Sequence, residues 1–113
     1  MDDIRLETSV RSNDGFPVID VVGEIDLYTS PTFRDILRQA VDDGHHRILV
    51  NMSQVRYVDS SGFGTLLGAT KRLRPSGGSI NLVGCNPSIQ KMLRVTRLNT
   101  VFGVFEAEDE AVA

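Results

Sequence analysis

Two adjacent serines, Ser60 and Ser61, stand between Asp59 and Gly62 where a helix is predicted to begin. A hydroxyl at such a position lies beside unpaired backbone N–H groups and the positive end of the helix dipole. It can cap the helix, or it can accept a phosphoryl group, which adds about −1.5 to −2 charge and three acceptor oxygens. Nearby carboxylates, of Asp59 and of Asp26 if the fold brings it close, would make that charge repel a docked partner. The residues alone leave capping and phosphorylation both open.

The helix that begins at these serines has two different faces. Its core side, at helical spacing, consists of Phe63, Leu66, Leu67, Thr70 and Leu73. The opposite side is small and polar, formed by Ser61, Thr65, Gly68 and Arg72 with Gly64 on its flank. A glycine in a helix interior costs roughly 0.8–1.0 kcal/mol relative to alanine. Either another molecule docks closely along this side, or a loop of the same domain packs against the two glycines.

Catalytic and metal-binding interpretations fit the sequence poorly. The candidate bases His45 and His46 lie in a predicted turn, and Ser60 lacks the first glycine of a G-x-S-x-G elbow. Two histidines and one cysteine do not make a strong metal site without carboxylates. We therefore expect no enzyme, no cofactor and no metal. A small nucleotide-binding protein or hydrolase using Gly62–Gly68 is the alternative, although Leu67 occupies the place of a fingerprint glycine.

Composition limits the partners and the compartment. The 113 residues are enough for one domain, 1–113, with a modest core. A net charge of −3 argues against nucleic-acid binding, and no run of about 18 apolar residues predicts a membrane helix. Cys85 is the only cysteine, so an internal disulfide is impossible and a reducing cytoplasm is the simplest location. We expect a monomer, because no large apolar patch is evident.

The periodicity of the chain predicts an α/β fold of the order β-β-α-β-α-β-α, with a short strand to follow. Predicted strands lie at 4–11, 18–25, 48–50, 80–83 and 101–105, and predicted helices begin at Ser30, at the serine pair and at Asn86. In the third helix Ile89, Met92 and Leu93 should face inward. Alternating strands and helices imply parallel strands with right-handed crossovers, in a mixed sheet of four or five strands layered with helices. The acidic tail, 106–113, should be frayed.

Two motifs resemble those of a known family. The segment 58–64, Val-Asp-Ser-Ser-Gly-Phe-Gly, continuing to Leu66-Leu67, resembles the signature of STAS domains, specifically the bacterial anti-sigma factor antagonists. The segment 23–26, Gly-Glu-Ile-Asp, resembles the first motif of that family. The resemblance covers nearly the whole chain, with Phe63 where the family usually has leucine.

The resemblance implies a STAS-like fold and a switch. By resemblance, Ser60 is phosphorylated by an anti-sigma factor that is itself a serine kinase. The unmodified antagonist would bind that kinase and free a sigma factor, the phosphorylated form would release it, and a PP2C-type phosphatase would reset the switch. The partner-binding residues expected around Ser60 are Asp26, Asp59, Ser61, Gly62, Gly64, Thr65 and Gly68. STAS domains also occur as scaffold subunits, and a scaffold without a phospho-switch is the alternative within the family.

Overall fold

Five strands form one mixed sheet in the computed structural model, which describes residues 5–113. The strands are β1 Leu6–Asn13, β2 Phe16–Ile25, β3 Arg47–Val58, β4 Ser79–Val83 and β5 Gly103–Phe105, and they lie side by side in chain order. β1 and β2 are an antiparallel hairpin, and the remaining neighbours are parallel. The predicted first strand includes Ile4, which lies outside the described residues.

Within residues 5–113, four helices connect or follow the strands. They are α1 Ser30–Asp42, α2 Ser60–Leu73, α3 Pro87–Val95 and α4 Glu108–Val112, with 3-10 turns at Arg74–Ser76 and Leu98–Thr100. The predicted fold class, a mixed sheet layered with helices in the order β-β-α-β-α-β-α, is confirmed, and the short final strand is present. No helix within residues 5–113 is long and apolar enough to cross a membrane.

The main core lies between the sheet and α1, α2 and α3. The central strand β3 carries the apolar run Ile48, Leu49 and Val50, all fully buried, as expected of a strand covered on both faces. The largest buried side chains on that side include those of Phe33 and Leu37 in α1 and of Leu66 and Leu73 in α2. Burial of these side chains fixes both helices against the sheet, and so fixes where their first residues lie.

The prediction of a frayed acidic tail is wrong. Residues 108–112 form α4, and Ala111 is fully buried in a second cluster with Val18, Leu49 and Val83 on the sheet. Arg11 on β1 forms ion pairs with Asp20, at 2.6 Å, and with Glu108, the first residue of α4. A few buried methyl groups and an ion pair with a distant strand hold the segment, and neither is visible in the local sequence.

Candidate functional site

Two carboxylates follow the ends of adjacent parallel strands. Ile25, the last residue of β2, is the register partner of Val58, the last residue of β3. Asp26 and Asp59 come directly after them, and the backbone N–H of Asp59 donates to the Ile25 carbonyl at 3.1 Å. The fold therefore brings the two predicted motifs to one edge of the sheet, where α1 and α2 both begin.

Asp59 is the N-cap of α2. Its carboxylate Oδ1 accepts from the backbone N–H of Ser61 at 2.9 Å and of Gly62 at 3.2 Å, and from the Ser61 hydroxyl at 2.5 Å. The Ser61 hydroxyl and these N–H groups hold the pKa of Asp59 below its usual value, because they stabilise the ionised carboxylate. The cap of α2 is thus the Asp59 carboxylate rather than a serine hydroxyl, and the first backbone donors of the helix are already occupied.

A second hydroxyl joins the two helix starts. The hydroxyl oxygens of Ser30 and Ser61 lie 3.1 Å apart, and Ser30 is 2% exposed. Because the Ser61 hydrogen points to an ionised carboxylate, Ser30 must be the donor of this bond. Ser30 is the first residue of α1, as predicted, but the N-cap is Thr29, and the Ser30 side chain contacts α2 instead of capping its own helix.

Ser60 differs from its neighbour. The residue is exposed, and within residues 5–113 its hydroxyl makes no hydrogen bond, whereas the Ser61 hydroxyl donates to Asp59 and accepts from Ser30. A modifying enzyme needs a free, accessible hydroxyl. Only Ser60 of the two serines presents one.

The loop between β2 and α1 lies beside this pair. The Asp26 carboxylate is 14% exposed and accepts from the backbone N–H of Tyr28 at 2.9 Å and of Thr29 at 3.0 Å, so it shapes the turn from within. The turn projects Leu27 and Tyr28 into solvent, 70% and 79% exposed. Arg5 pairs with Asp26 at 3.3 Å and lies 5.5 Å from the Tyr28 ring centroid.

The motifs and periodicity of the sequence do not indicate Leu27 and Tyr28 as functional residues. Their signal is two large apolar side chains in a short turn that belongs to no helical or strand periodicity. Aromatic side chains held in such positions are common in protein interfaces.

The glycines of α2 separate into two kinds. A Cβ at Gly62 would lie 2.7 Å from Val58 Cγ1 and 2.8 Å from Ile25 Cγ2, so Gly62 permits close internal packing. A Cβ at Gly64 or Gly68 would meet no atom within 4 Å, so the alternative of an internal loop packed on them is wrong.

The polar side of α2 faces solvent only in part. Thr65 is 7% exposed because α1 packs along that side, and its hydroxyl donates to the Ser61 carbonyl at 3.0 Å. Of the partner-binding residues expected on α2, Gly64 and Gly68 are therefore open to another molecule, Ser61 is half-buried, and Gly62 and Thr65 are not accessible.

Two grooves flank α2. The α2–α3 groove is lined by Tyr57, Ser60, Phe63, Leu67 and Met92, among others. Met92 is 44% exposed there, which corrects its predicted inward orientation: Ile89 and Leu93 take the buried positions and Met92 lines the gap between the helices. The α1–α2 groove lies on the other side and begins at Ser61.

The chain belongs to the STAS domain family, whose model matches residues 7–111.

The relatives of this chain include several anti-sigma factor antagonists. An anti-sigma-B factor antagonist of Staphylococcus aureus (strain NCTC 8325 / PS 47) is 30% identical over 106 residues, which are 94% of this chain and 98% of that protein. An anti-sigma factor antagonist from Mycobacterium paratuberculosis superposes with a TM-score of 0.86 at 26% identity, over 95% of this chain and 91% of that one. The Bacillus cell fate determinant SpoIIAA in the phosphorylated form shares the fold, with a TM-score of 0.72, 24% identity and coverage of 94% and 96%.

Proposed function

We propose that this protein is an anti-sigma factor antagonist controlled by phosphorylation of Ser60. The unmodified chain binds an anti-sigma factor with serine kinase activity and thereby frees a sigma factor for transcription. The observation that supports this most is the free, exposed hydroxyl of Ser60 directly after the capping residue Asp59, in a chain 30% identical to a Staphylococcus aureus anti-sigma-B factor antagonist. The role is one of binding rather than catalysis.

Phosphorylation releases the partner through charge. The backbone donors that could neutralise a phosphate on Ser60, the N–H groups of Ser61 and Gly62, already bind the Asp59 carboxylate. The phosphoryl group therefore stays on the surface, beside an ionised carboxylate whose pKa is lowered. An added charge of about −1.5 to −2 disrupts a desolvated interface by repulsion and by the cost of burying it. The fold is unaffected, because the Ser60 side chain touches solvent.

The docking face combines exposed and supporting residues. Leu27, Tyr28, Ser60, Gly64 and Gly68 supply the accessible part. The supporting residues Asp26, Asp59, Ser61, Gly62 and Thr65 set the loop and helix start from within, through the hydrogen bonds and close packing described above. Tyr28 is held by Arg5 and is an anchor of the kind that contributes much binding energy.

A serine phosphatase of the PP2C type completes the cycle, since an exposed phosphoserine needs hydrolysis to restore binding. Because bacterial transcription takes place in the cytoplasm, the proposed role places the chain there.

Binding of the purified anti-sigma kinase of the same cell tests this function. Titration calorimetry should detect a complex with the unmodified chain and with Ser60→Ala, and a strong loss of affinity with Ser60→Asp. Unchanged binding of Ser60→Asp would favour a scaffold without a switch. ATP or GTP added to the chain alone should give no heat; micromolar binding abolished by Gly64→Leu would instead indicate a nucleotide-binding protein.

A further inference from the structure

The α1–α2 groove is bounded at both ends by contacts between its two helices. One end is the Ser30–Ser61 hydrogen bond, and the other is an ion pair in which Arg72 of α2 lies 2.5 Å from Asp42 of α1. At 1.5 Å per residue, the α2 segment between Ser61 and Arg72 is roughly 16 Å long, or three helical turns. The groove volume is about 450 Å³. These dimensions suit one face of a short helix.

The floor and one wall of the groove are apolar and smooth. Leu37 and Val41 of α1 and Ala69 of α2 line it, and Gly64 and Gly68 leave open space where other residues would carry a side chain. The two glycines are one helical turn apart, so they expose a strip of backbone along which another helix can approach closely. Their cost in helix stability has no internal compensation, since nothing in the described chain packs on them.

The rim is cationic in a chain whose net charge is −3. It carries three arginines, Arg34, Arg38 and Arg72. Arg38 pairs with Asp35 at 2.7 Å and Arg72 with Asp42, but both pairs are between exposed side chains. Exposed pairs contribute only about 0–1 kcal/mol, so these guanidinium groups can exchange their partners for carboxylates of another molecule. Arg34 forms no ion pair within residues 5–113.

We propose that the α1–α2 groove receives an acidic amphipathic helix of the anti-sigma partner. The apolar side of that helix packs on Val41 and the glycine strip, and its flanking Asp and Glu side chains reach the three arginines. This assignment rests on the proposed function and adds the partner's chemistry to it.

The location of the groove links it to the switch. It begins at Ser61, one residue after Ser60, and neighbouring Cα atoms are about 3.8 Å apart. A phosphate on Ser60 therefore adds negative charge next to the end of the groove that begins at Ser61. Like charges repel, so the acidic character of the partner helix makes its binding sensitive to phosphorylation.

The test uses the full chain and the purified anti-sigma kinase. The double variant Arg34→Glu/Arg38→Glu should bind about tenfold or more weakly, because like charges then face each other across the groove. The association rate of the wild-type chain should fall as the ionic strength rises, and that of the double variant should not. The control Lys91→Glu/Arg94→Glu changes the net charge equally on α3, outside both grooves, and should bind as the wild-type chain does.

A steric pair of variants gives an independent measurement. Gly68→Leu fills open space in the groove, so it should keep the fold by circular dichroism yet weaken binding about tenfold. Gln39→Leu, on the exposed side of α1 and outside the groove, is the matched control and should leave affinity unchanged.

The possible failures can be told apart. If the wild-type chain binds no anti-sigma kinase, the proposed function is overturned and the groove assignment with it. If the wild-type chain binds and the arginine and glycine variants bind equally well, only the groove assignment is overturned. A dimer of this chain that Gly68→Leu dissociates would assign the groove to a second copy, and would also overturn the proposal.

Discussion

The hydroxyl groups of Ser30 and Ser61, 31 positions apart in the chain, form a 3.1 Å hydrogen bond that joins the first turns of α1 and α2. The Ser61 hydroxyl donates a hydrogen bond to Asp59, so a continuous chain of hydrogen bonds runs from Ser30 to the N-cap of α2. This chain engages Ser61 and leaves Ser60 free. The two adjacent serines thus have different roles: Ser61 is structural, and Ser60 is available for modification.

Removing the buried hydroxyl should therefore cost more than removing the exposed one. Ser30→Ala loses a hydrogen bond in a buried place, and we expect the free energy of unfolding to fall by about 1 kcal/mol. Ser60→Ala, the matched control, should change it by less than about 0.5 kcal/mol. Urea unfolding measures both. Equal losses for the two variants would contradict the assignment of structural and free serines.

Replacing the glycines of α2 by alanine should change the stability of the fold in opposite directions. Gly62→Ala places a Cβ against Val58 and Ile25 and should destabilise the fold by about 1–3 kcal/mol. Gly64→Ala and Gly68→Ala enter open space and should each stabilise it by up to about 1 kcal/mol. Thermal unfolding of the three variants separates these cases. Destabilisation by all three would mean that the open strip is packed in solution.

Much of the fold follows from the sequence because its signals are local. The apolar run Ile48–Val50 indicates a strand covered on both faces, and helical spacing from Phe63 to Leu73 indicates the buried face of α2. The α4 helix does not follow in this way, because its position depends on Ala111 packing against distant strands. A signal was present in the three acidic residues of its first turn, which favour a helix N-terminus.

The site is only half visible in the sequence for the same reason. Asp59 and Ser60 are apparent from their neighbours, whereas the Ser30 contact is formed between residues far apart in the chain. Whether a loop packs on Gly64 and Gly68 or they face solvent depends on which distant part of the chain lies opposite them, and the sequence does not show this. In the structure both glycines face open space.

The cap should make stability depend on acid pH. The pKa of Asp59 is lower in the folded chain than its unfolded value of about 3.9, because the Ser61 hydroxyl and backbone N–H groups stabilise the carboxylate. Its contribution is therefore complete above the unfolded pKa and is lost as the pH falls through the folded pKa. Asp59→Asn keeps a capping oxygen but removes the charge at the helix N-terminus, so it should be less stable than the wild-type chain at pH 7, by up to about 1 kcal/mol.

The difference between the two chains should shrink as the pH falls below the unfolded pKa and through the lower folded pKa, where wild-type Asp59 becomes protonated. Urea unfolding at several pH values measures it. Asp20 and Glu108, whose pKa values are lowered by their hydrogen bonds to Arg11, add an acid dependence that both chains share. A stability difference that stays constant down to strongly acid pH would show that the Asp59 charge does not contribute.

The single cysteine should be unreactive in the native chain. Burial raises the pKa of the Cys85 thiol to about 11, so the thiolate that reacts is scarce at neutral pH. A chromogenic disulfide reagent at pH 8 should label the native chain much more slowly than the chain unfolded in urea. Equally rapid labelling would indicate that the region around Cys85 opens readily.

The proposed switch depends on one hydroxyl, and intact-mass measurement with fragment mapping tests it most directly. The chain is incubated with ATP and the purified anti-sigma kinase, beside Ser60→Ala and Ser61→Ala. We predict that the wild-type chain gains one phosphoryl group, located on Ser60, that Ser61→Ala is still modified, and that Ser60→Ala is not. A phosphate on another residue, or no phosphate on the wild-type chain, would contradict the account.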